Sequence, residues 1–192
     1  MSRIVWIDVE TTGLNCKEDK IIELAALYEN GKEKSVFHTY ILPAEKPTDF
    51  TVIEELTGIT WEYLEKNGIA SAEAYSKFSD WLGERINKYD KKDKPIFAAY
   101  NAKFDNDFIR EFFKKNYDNY FGSWFYSASL DIMGTAVLCV KLGLIPVPEN
   151  FKNSTICQSF GIEHKLHSAI EDIKASRQAQ LKMEELLNAQ SL

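Results

Sequence analysis

The sequence predicts one α/β domain over residues 1–192, built on a mixed β-sheet with helices packed against it. Three observations support this class. Strand-like segments come first, helical segments and a further buried strand follow, and the length suits a single domain that buries about 70% of its unfolded surface. No repeat, low-complexity tract or linker interrupts the chain. We therefore expect one continuous folding unit.

The first third of the chain predicts an antiparallel meander of three strands. Residues 3–9 are strand-like, with an apolar run over residues 4–7. Two further strands are expected in segments rich in β-branched and aromatic residues, "IIELAALYEN" from Ile21 and "SVFHTYILP" from Ser35. The pair Asn30-Gly31 between them predicts a tight hairpin turn. Neighbouring strands joined by so short a turn must run antiparallel.

Helices dominate the rest of the chain. Within "TDFTVIEELTGIT", Gly58 ends a short helix and Thr60 caps the next one. Residues 71–89 carry five side chains at helical spacing, which predicts a face packed on a core: Tyr75, Phe78, Leu82, Ile86 and Tyr89. A buried strand from Pro95 leads into a helix from Asn106. Three more helices are expected in "DIMGTAVLCVKLGL", "STICQSFGI" and "SAIEDIKASRQAQLKMEELLNA".

Composition bounds the possible partners and compartment. The net charge of −6 disfavours broad, non-specific duplex binding, which needs many Lys and Arg contacts to phosphate, but it leaves open an enzyme that handles one nucleic-acid end at a metal site. The three cysteines, Cys16, Cys139 and Cys157, lack a CxxC pair and fit a reducing compartment. No apolar run or leader predicts membrane attachment, so we expect a cytoplasmic protein.

Acidic residues occupy the ends of three predicted elements. In "IVWIDVETTGL", Asp8 and Glu10 point to the same face of a strand, where two charges a few ångströms apart repel by roughly 4 kcal/mol at an effective dielectric near 20. In "AYNAKFD", Asp105 follows the strand that ends at Asn101. Near the C-terminus, "LHSAIED" places an acid at the start of the last helix. Such a cluster needs a counter-charge.

A divalent cation would supply that charge. Hard carboxylate oxygens suit Mg²⁺ or Mn²⁺, whereas thiolates and several histidines would suit zinc. Two ions about 4 Å apart can clamp the attacking and leaving oxygens of a phosphodiester. His167 lies five residues before Asp172, and an imidazole with an ordinary pKa near 6.5 suits a base for the attacking water.

Three motifs, "DVETTGL", "NAKFD" and "HSAIED", resemble the DxET, NxxFD and HxAxxD motifs of the DnaQ-like 3′-5′ exonucleases, in the same order and at similar separations. The histidine five residues before the last acid is typical of the DEDDh branch. The resemblance implies a ribonuclease H-like fold, with a mixed five-stranded sheet and helices packed on both faces. The fifth strand is expected within "SWFYSASLDI".

The resemblance also implies a role for each motif residue. Asp8 would contact both metal ions, Glu10 and Asp172 would support one of them, and Asp105 would act largely through bound water. His167 would be the general base. His164 lies too far from the last acid for this role, and Glu171 points about 100° away from its neighbour on a helix.

Weaker candidates lie around these motifs. In the family, residues that match Thr11, Thr12 and Leu14 hold the terminal nucleotide, although a plain turn is the alternative. Ile59, in "LTGIT", could pack on a base or simply follow a helix stop. Asn101 could donate to a phosphate or only fix the strand end.

Two surface features have both a binding and a structural interpretation. An aromatic cluster could stack single-stranded bases at roughly 1–3 kcal/mol each, or be buried in the core or a dimer interface: Tyr117, Tyr120, Phe121, Trp124, Phe125 and Tyr126. A basic patch could contact nucleic acid or be only solvated: Lys103, Arg110, Lys114 and Lys115.

We therefore predict a metal-dependent exonuclease that releases 5′-mononucleotides from the 3′ end of DNA or RNA, with single-stranded ends as substrate. One alternative is a non-catalytic module that binds nucleic-acid ends or a polymerase. Another is an RNA trimmer resembling RNase T or oligoribonuclease, which act as homodimers. A proofreading role would require a polymerase as a separate partner. The motifs do not distinguish DNA from RNA, because recognition of the 2′-OH depends on a few contacts.

Overall fold

The computed structural model describes residues 3–163 and 168–189. Strands and helices follow one another along the chain in this order: β1 (Ile4–Thr11), β2 (Ile21–Asn30), β3 (Glu33–Tyr40), α1 (Thr51–Thr57), α2 (Trp61–Asn67), α3 (Ser71–Gly83), β4 (Ile96–Ala99), α4 (Ala102–Lys115), α5 (Phe121–Trp124), β5 (Ser129–Asp131), α6 (Ile132–Lys141), α7 (Asn153–Ser159) and α8 (Ala169–Ala189).

The strands form one mixed sheet in the order β3-β2-β1-β4-β5. The first three strands pair antiparallel, and β4 and β5 add parallel to β1. This confirms the predicted meander and the five-stranded mixed sheet. The fifth strand lies inside the segment where it was expected, although it is only three residues long.

The turns of the meander and of the helices that follow have simple local causes. Gly31 adopts a left-handed backbone conformation with φ near 63°, which closes the hairpin between β2 and β3. Gly58 does the same at the end of α1. The Thr60 side chain accepts a hydrogen bond from the Tyr63 N–H at the start of α2, as a helix cap does.

Helices cover both faces of the sheet, as predicted. Side chains of α3, α4 and α5 pack with Val5, Ile7 and Phe97 on one face. On the other face, α6, α7 and α8 pack around Trp6 and Ala98. The central strand β1 is therefore covered on both faces, and its partly accessible residues are Ile4 at its start and Asp8, Glu10 and Thr11 towards its end.

Some details differ from the sequence prediction. The helix expected from Asn106 begins four residues earlier, at Ala102. The helix from Ser71 ends at Gly83, so the helical phase is lost and Tyr89, expected on the buried face, is 87% exposed. The aromatic segment divides between the two interpretations offered for it. Phe121, Trp124 and Phe125 are buried in the core, whereas three of its tyrosines are exposed: Tyr117, Tyr120 and Tyr126.

A charged contact fixes α8 against the sheet. The Arg177 Nε donates to the Glu29 carboxylate at 2.8 Å, and the Trp6 indole donates to the same group at 3.2 Å. Because the hydrogen bonds from Arg177 favour the charged form, the pKa of Glu29 is lowered. This anchor helps to set the direction in which the N-terminal end of α8 points.

Two expectations about the whole protein have structural counterparts. Cys16, Cys139 and Cys157 are free thiols. Among the helices in residues 3–163 and 168–189, none has both the length and the apolar character needed to cross a membrane. The extent of the domain, residues 1–192, stays a prediction.

Candidate active site

Three carboxylates meet at the C-terminal end of β1. Asp8 and Glu10 lie two residues apart on the strand and therefore share a face, and Asp172 reaches them from the first turn of α8. Each carboxylate offers an oxygen within 4.8 Å of the other two. Residues that are more than 160 positions apart in the sequence are thus within the span of a single cation.

Asp105 lies beside this group in a different environment. It is the fourth residue of α4 and only 3% exposed, and its Oδ1 accepts a hydrogen bond from the Val9 N–H at 3.1 Å. The turn before α4 depends on Asn101, which has a left-handed backbone (φ 59°) and donates its N–H to Asp131 at 3.2 Å. Asparagine tolerates this conformation better than most residues do.

Burial and mutual repulsion raise the pKa values of these acids. For Asp8, burial is the main cause and the carboxylates of Asp105 and Asp172 add to it. Burial, followed by the charges of Glu23 and Asp172, raises the pKa of Glu10 to about 8. Burial raises the pKa of Asp105 as well, although the hydrogen bond from the Val9 N–H works against the rise.

The donor set fits a hard divalent cation. It consists of carboxylate oxygens, which Mg²⁺ and Mn²⁺ prefer, and the described residues bring no thiolate or imidazole into the three-acid group. A cation bound between Asp8, Glu10 and Asp172 would relieve the repulsion that raises the pKa values of Asp8 and Glu10. The acid cluster is therefore an electrostatic fit for at least one such ion.

The loop after β1 is held together by the two threonines expected to contact substrate. The Thr11 hydroxyl donates to the Gly13 carbonyl at 2.6 Å, and the Thr12 hydroxyl accepts from the Lys20 N–H at 2.9 Å. Gly13 has no room for a side chain, since a Cβ there would overlap the Asp19 carboxylate. Leu14 projects from this loop and is 88% exposed, so it is available for contact.

The remaining substrate candidates differ in accessibility. Asn101 is exposed, whereas Ile59 is 6% exposed and packs with Ile22, Phe50 and Leu64 in a small core cluster. Ile59 thus follows the end of α1 at Gly58, as its alternative interpretation stated, and packs in the core. Substrate contact by either residue, and by Thr11, Thr12 and Leu14, stays a prediction.

The predicted base lies outside the described residues, as does the competing histidine: both His167 and His164 fall in the gap between residues 163 and 168. The choice between the two acids of the last motif does have a structural answer. Glu171 pairs with Lys174 at 2.6 Å, while its neighbour Asp172 joins Asp8 and Glu10.

The basic patch along α4 makes contacts within the protein. Lys103 pairs with Asp107, Lys114 lies 3.6 Å from Glu111, and the Lys115 ammonium donates to the Cys16 carbonyl at 2.9 Å. Arg110 Nε donates to Asn106 at 2.5 Å. These interactions favour the structural interpretation of the patch.

The sequence analysis missed one acid beside the site. Glu23 of β2 is directly opposite Glu10 in the antiparallel ladder and is 1% exposed. Its signal is visible in "IIELAALYEN", where a single charge interrupts an apolar run. A lone acid in a buried strand needs a partner, and the structure supplies His38, whose Nε2 lies 2.6 Å from the Glu23 carboxylate.

The raised pKa of Glu10 predicts how stability depends on pH. In the unfolded chain, Glu10 loses its proton at its ordinary pKa of 4.5. In the folded, metal-free protein, Glu10 keeps the proton until about pH 8. The folded state therefore binds more protons in this window, and its free energy of unfolding falls as pH rises, by up to about 1.4 kcal/mol per pH unit for each such group.

Urea unfolding in EDTA between pH 5 and 9 would measure this slope. Saturating Mg²⁺ is the control and should flatten or reverse the slope, because the cation binds the ionised acids. A metal-free stability that stays level across the window would contradict the electrostatic description of the site.

Comparison with known proteins identifies relatives over nearly the whole chain. The RNase_T exonuclease family model matches residues 5–179. The PolC-type DNA polymerase III of Bacillus subtilis is 34% identical over 184 residues, which is 93% of this chain and 11% of the polymerase. The Bacillus cereus enzyme of the same name is 33% identical over 184 residues, with the same coverage. The chain thus spans about a tenth of these relatives.

Solved structures show the same fold. Escherichia coli Exonuclease I in complex with a dT13 oligonucleotide superposes with a TM-score of 0.74 at 25% identity, over 94% of this chain and 41% of that one. An Exonuclease I from Methylocaldum szegediense gives a TM-score of 0.77 at 20% identity, over 96% of this chain and 41% of that one. The five-stranded architecture and its helices are shared across this group.

Proposed function

This chain belongs to the RNase_T exonuclease family, and on that premise we propose that it is a metal-dependent 3′-5′ exonuclease that releases 5′-mononucleotides. The observation that carries the proposal is the convergence of Asp8, Glu10 and Asp172 within 4.8 Å, with Asp105 beside them. A cluster of repelling acids is costly to fold, and a reaction that needs divalent cations accounts for it.

Each acid has a proposed part in the reaction. Asp8 would contact two cations, while Glu10 and Asp172, whose oxygens lie within 4.8 Å of it, would support one of them. Bound cations would supply charge stabilisation for the phosphodiester as it is cleaved. Asp105 is fixed by the Val9 N–H and would act through water. His167 would accept the proton of the attacking water.

Single-stranded DNA is the proposed substrate class. The named relatives support this choice, since one is a DNA polymerase and another was solved with a DNA oligonucleotide. The exposed Leu14 beside the acid cluster offers an apolar contact for a terminal base. A polymerase as partner is a further proposal, supported by the similarity to PolC-type polymerases; the alternative homodimer is distinguished by the mass in solution.

A strand labelled at its 5′ end tests the activity. With Mg²⁺ or Mn²⁺ we expect a ladder shortened one nucleotide at a time, and faster cleavage of DNA than of the matched RNA. Faster cleavage of RNA would favour the RNA-trimming alternative. Binding of the strand without any product, in either metal and from well-folded protein, would favour a non-catalytic end-binding module and overturn the catalytic proposal.

Neighbouring acids of α8 provide a matched pair of variants. Asp172→Asn should slow cleavage by more than ~10-fold, because it removes the charge of a proposed metal ligand. Losing a ligand should cost at least as much as losing a residue that only orients a ligand, which costs about 10–100-fold. Glu171→Gln makes the same chemical change one residue away and breaks only the exposed pair with Lys174, so its rate should be unchanged. Equal losses in both variants would mean that Asp172 has no special role.

A further inference from the structure

Glu23 lies on the same face of the sheet as the acid cluster but is held differently. It pairs with Glu10 across the β1–β2 ladder, so the two side chains start about 5 Å apart. Glu23 is almost fully buried, whereas Glu10 and the other two acids that meet at β1, Asp8 and Asp172, are partly accessible. Of the two glutamates, Glu23 has less freedom to move.

Residues of β3 hold Glu23 in place. The His38 Nε2 lies 2.6 Å from its carboxylate. His38 is paired with Ala25, and Tyr40 is paired with Glu23 itself. The small Ala25 side chain leaves room for the diagonal contact between His38 and Glu23. Burial and then the Glu23 charge raise the pKa of Tyr40, so its hydroxyl keeps its proton beside Glu23.

This arrangement has a directional effect on Glu10. Like charges directly opposite one another in a sheet repel. Once Glu10 is ionised, as it must be to bind a cation, the repulsion from Glu23, which is fixed from the β3 side, displaces the Glu10 carboxylate away from β2. Asp8 lies on β1 and Asp172 on α8, neither of them on β2, and both have an oxygen within 4.8 Å of Glu10.

We propose that Glu23, held by His38, is a positioning residue that orients the Glu10 carboxylate towards the cation site. The inference rests on the proposed metal site, although not on cleavage itself. When residues that orient metal ligands in this way are replaced, metal affinity or activity falls by about 10–100-fold, and we expect a loss of metal affinity in that range for Glu23. Neither Glu23 nor His38 needs to touch the substrate for this role.

Glu23→Gln is the direct test. The glutamine amide can donate to Glu10, so in the variant it attracts the Glu10 carboxylate towards β2. In the wild-type protein, Glu23 repels that carboxylate. We expect the affinity for Mn²⁺, measured without nucleic acid by the EPR signal of the free ion, to fall by about 10–100-fold. The rate of cleavage at saturating Mn²⁺ should be much less affected, since added metal restores the occupied site.

Glu29→Gln is a matched control on the same strand. Glu29 lies six residues along β2, on the same face and about 20 Å from Glu23, and it too is ion-paired. This variant should lower the melting temperature by weakening the contact with Arg177, but it should leave Mn²⁺ affinity unchanged. A loss of affinity in both variants would mean that general destabilisation, and not positioning, is responsible.

The role of His38 can be tested separately. His38→Ala should weaken Mn²⁺ binding in the same direction, because Glu23 loses its anchor, whereas His38→Gln keeps a donor near the Nε2 position and should restore most of the affinity. Glu23→Gln combined with His38→Ala should cost little more than Glu23→Gln alone, because the two residues act as a unit.

The outcomes separate this inference from the proposed function. Wild-type Mn²⁺ affinity in Glu23→Gln, with the variant folded, would overturn the positioning role and leave the exonuclease proposal intact. Mn²⁺ binding that depends on Glu23, in a protein that cleaves neither DNA nor RNA, would support the positioning role and overturn the exonuclease proposal.

Discussion

Asp8→Asn is expected to abolish cleavage while leaving the fold intact. The charges of Asp105, Asp172 and Glu10 all act on Asp8, and it shares the proposed cation site with Glu10 and Asp172, so removing its charge weakens a ligand of that site. The rate with a 5′-labelled strand in Mn²⁺ should fall by more than ~100-fold, the upper range for the loss of even a supporting residue at a metal site.

The same variant should change stability in opposite directions with and without metal. In EDTA it should melt at the wild-type temperature or higher, since one of the repelling charges is gone. In Mn²⁺ the wild-type protein should gain stability, by about 2.7 kcal/mol at a metal concentration 100 times the dissociation constant, and the variant should gain less. The two melting curves should therefore change order between these conditions.

Asp107→Asn is the control for both measurements. It makes the same chemical change on α4, where Asp107 forms only an exposed ion pair with Lys103. Activity should be retained, and stability should change by less than about 1 kcal/mol. Full cleavage by Asp8→Asn, or a loss of cleavage in Asp107→Asn of the same size, would refute the assignment of the site.

His167→Ala is expected to slow turnover by about 10²–10⁴-fold, the usual contribution of a general base. Mn²⁺ affinity should fall far less, because the cluster that attracts the cation consists of carboxylates. At saturating Mn²⁺, the wild-type rate should rise with pH as the general base loses its proton, and the variant should lack this part of the dependence. Single-turnover cleavage and Mn²⁺ binding, measured on the same preparation, test the difference.

His164→Ala is the matched control, three residues away in the same segment of the sequence. It should keep both the rate and its pH dependence. If His167→Ala lost metal affinity and turnover equally, the histidine would be a ligand and not a base. If His164→Ala were the slower variant, the spacing in the motif would have identified the wrong histidine.

Local sequence patterns were sufficient to predict most of the fold. The hairpin at Gly31 and the helix ends at Gly58 and Thr60 follow from the conformations and hydrogen bonds of single residues. Where a prediction relied on periodicity alone, it extended too far: the helix from Ser71 ends six residues before Tyr89. Side-chain spacing does not show where the backbone leaves the helix.

For the candidate site, too, some features could be predicted from the sequence and others could not. The motifs singled out four acids as candidates, and the structure brings three of them together: Asp8, Glu10 and Asp172. The motifs did not reveal that Asp105 is bonded to the β1 backbone, or that Ile59 is buried. Both facts depend on which distant elements pack against these residues.

The sequence by itself determined the class of fold, the chemistry of the acids and their order along the chain. These properties reside in short segments whose strand, turn or helix character is local. Only the tertiary structure placed Glu23 opposite Glu10 and His38 against Glu23, because cross-strand partners are set by the register of β1, β2 and β3. Pairing between strands brings together residues whose positions in the sequence carry no sign of their contact.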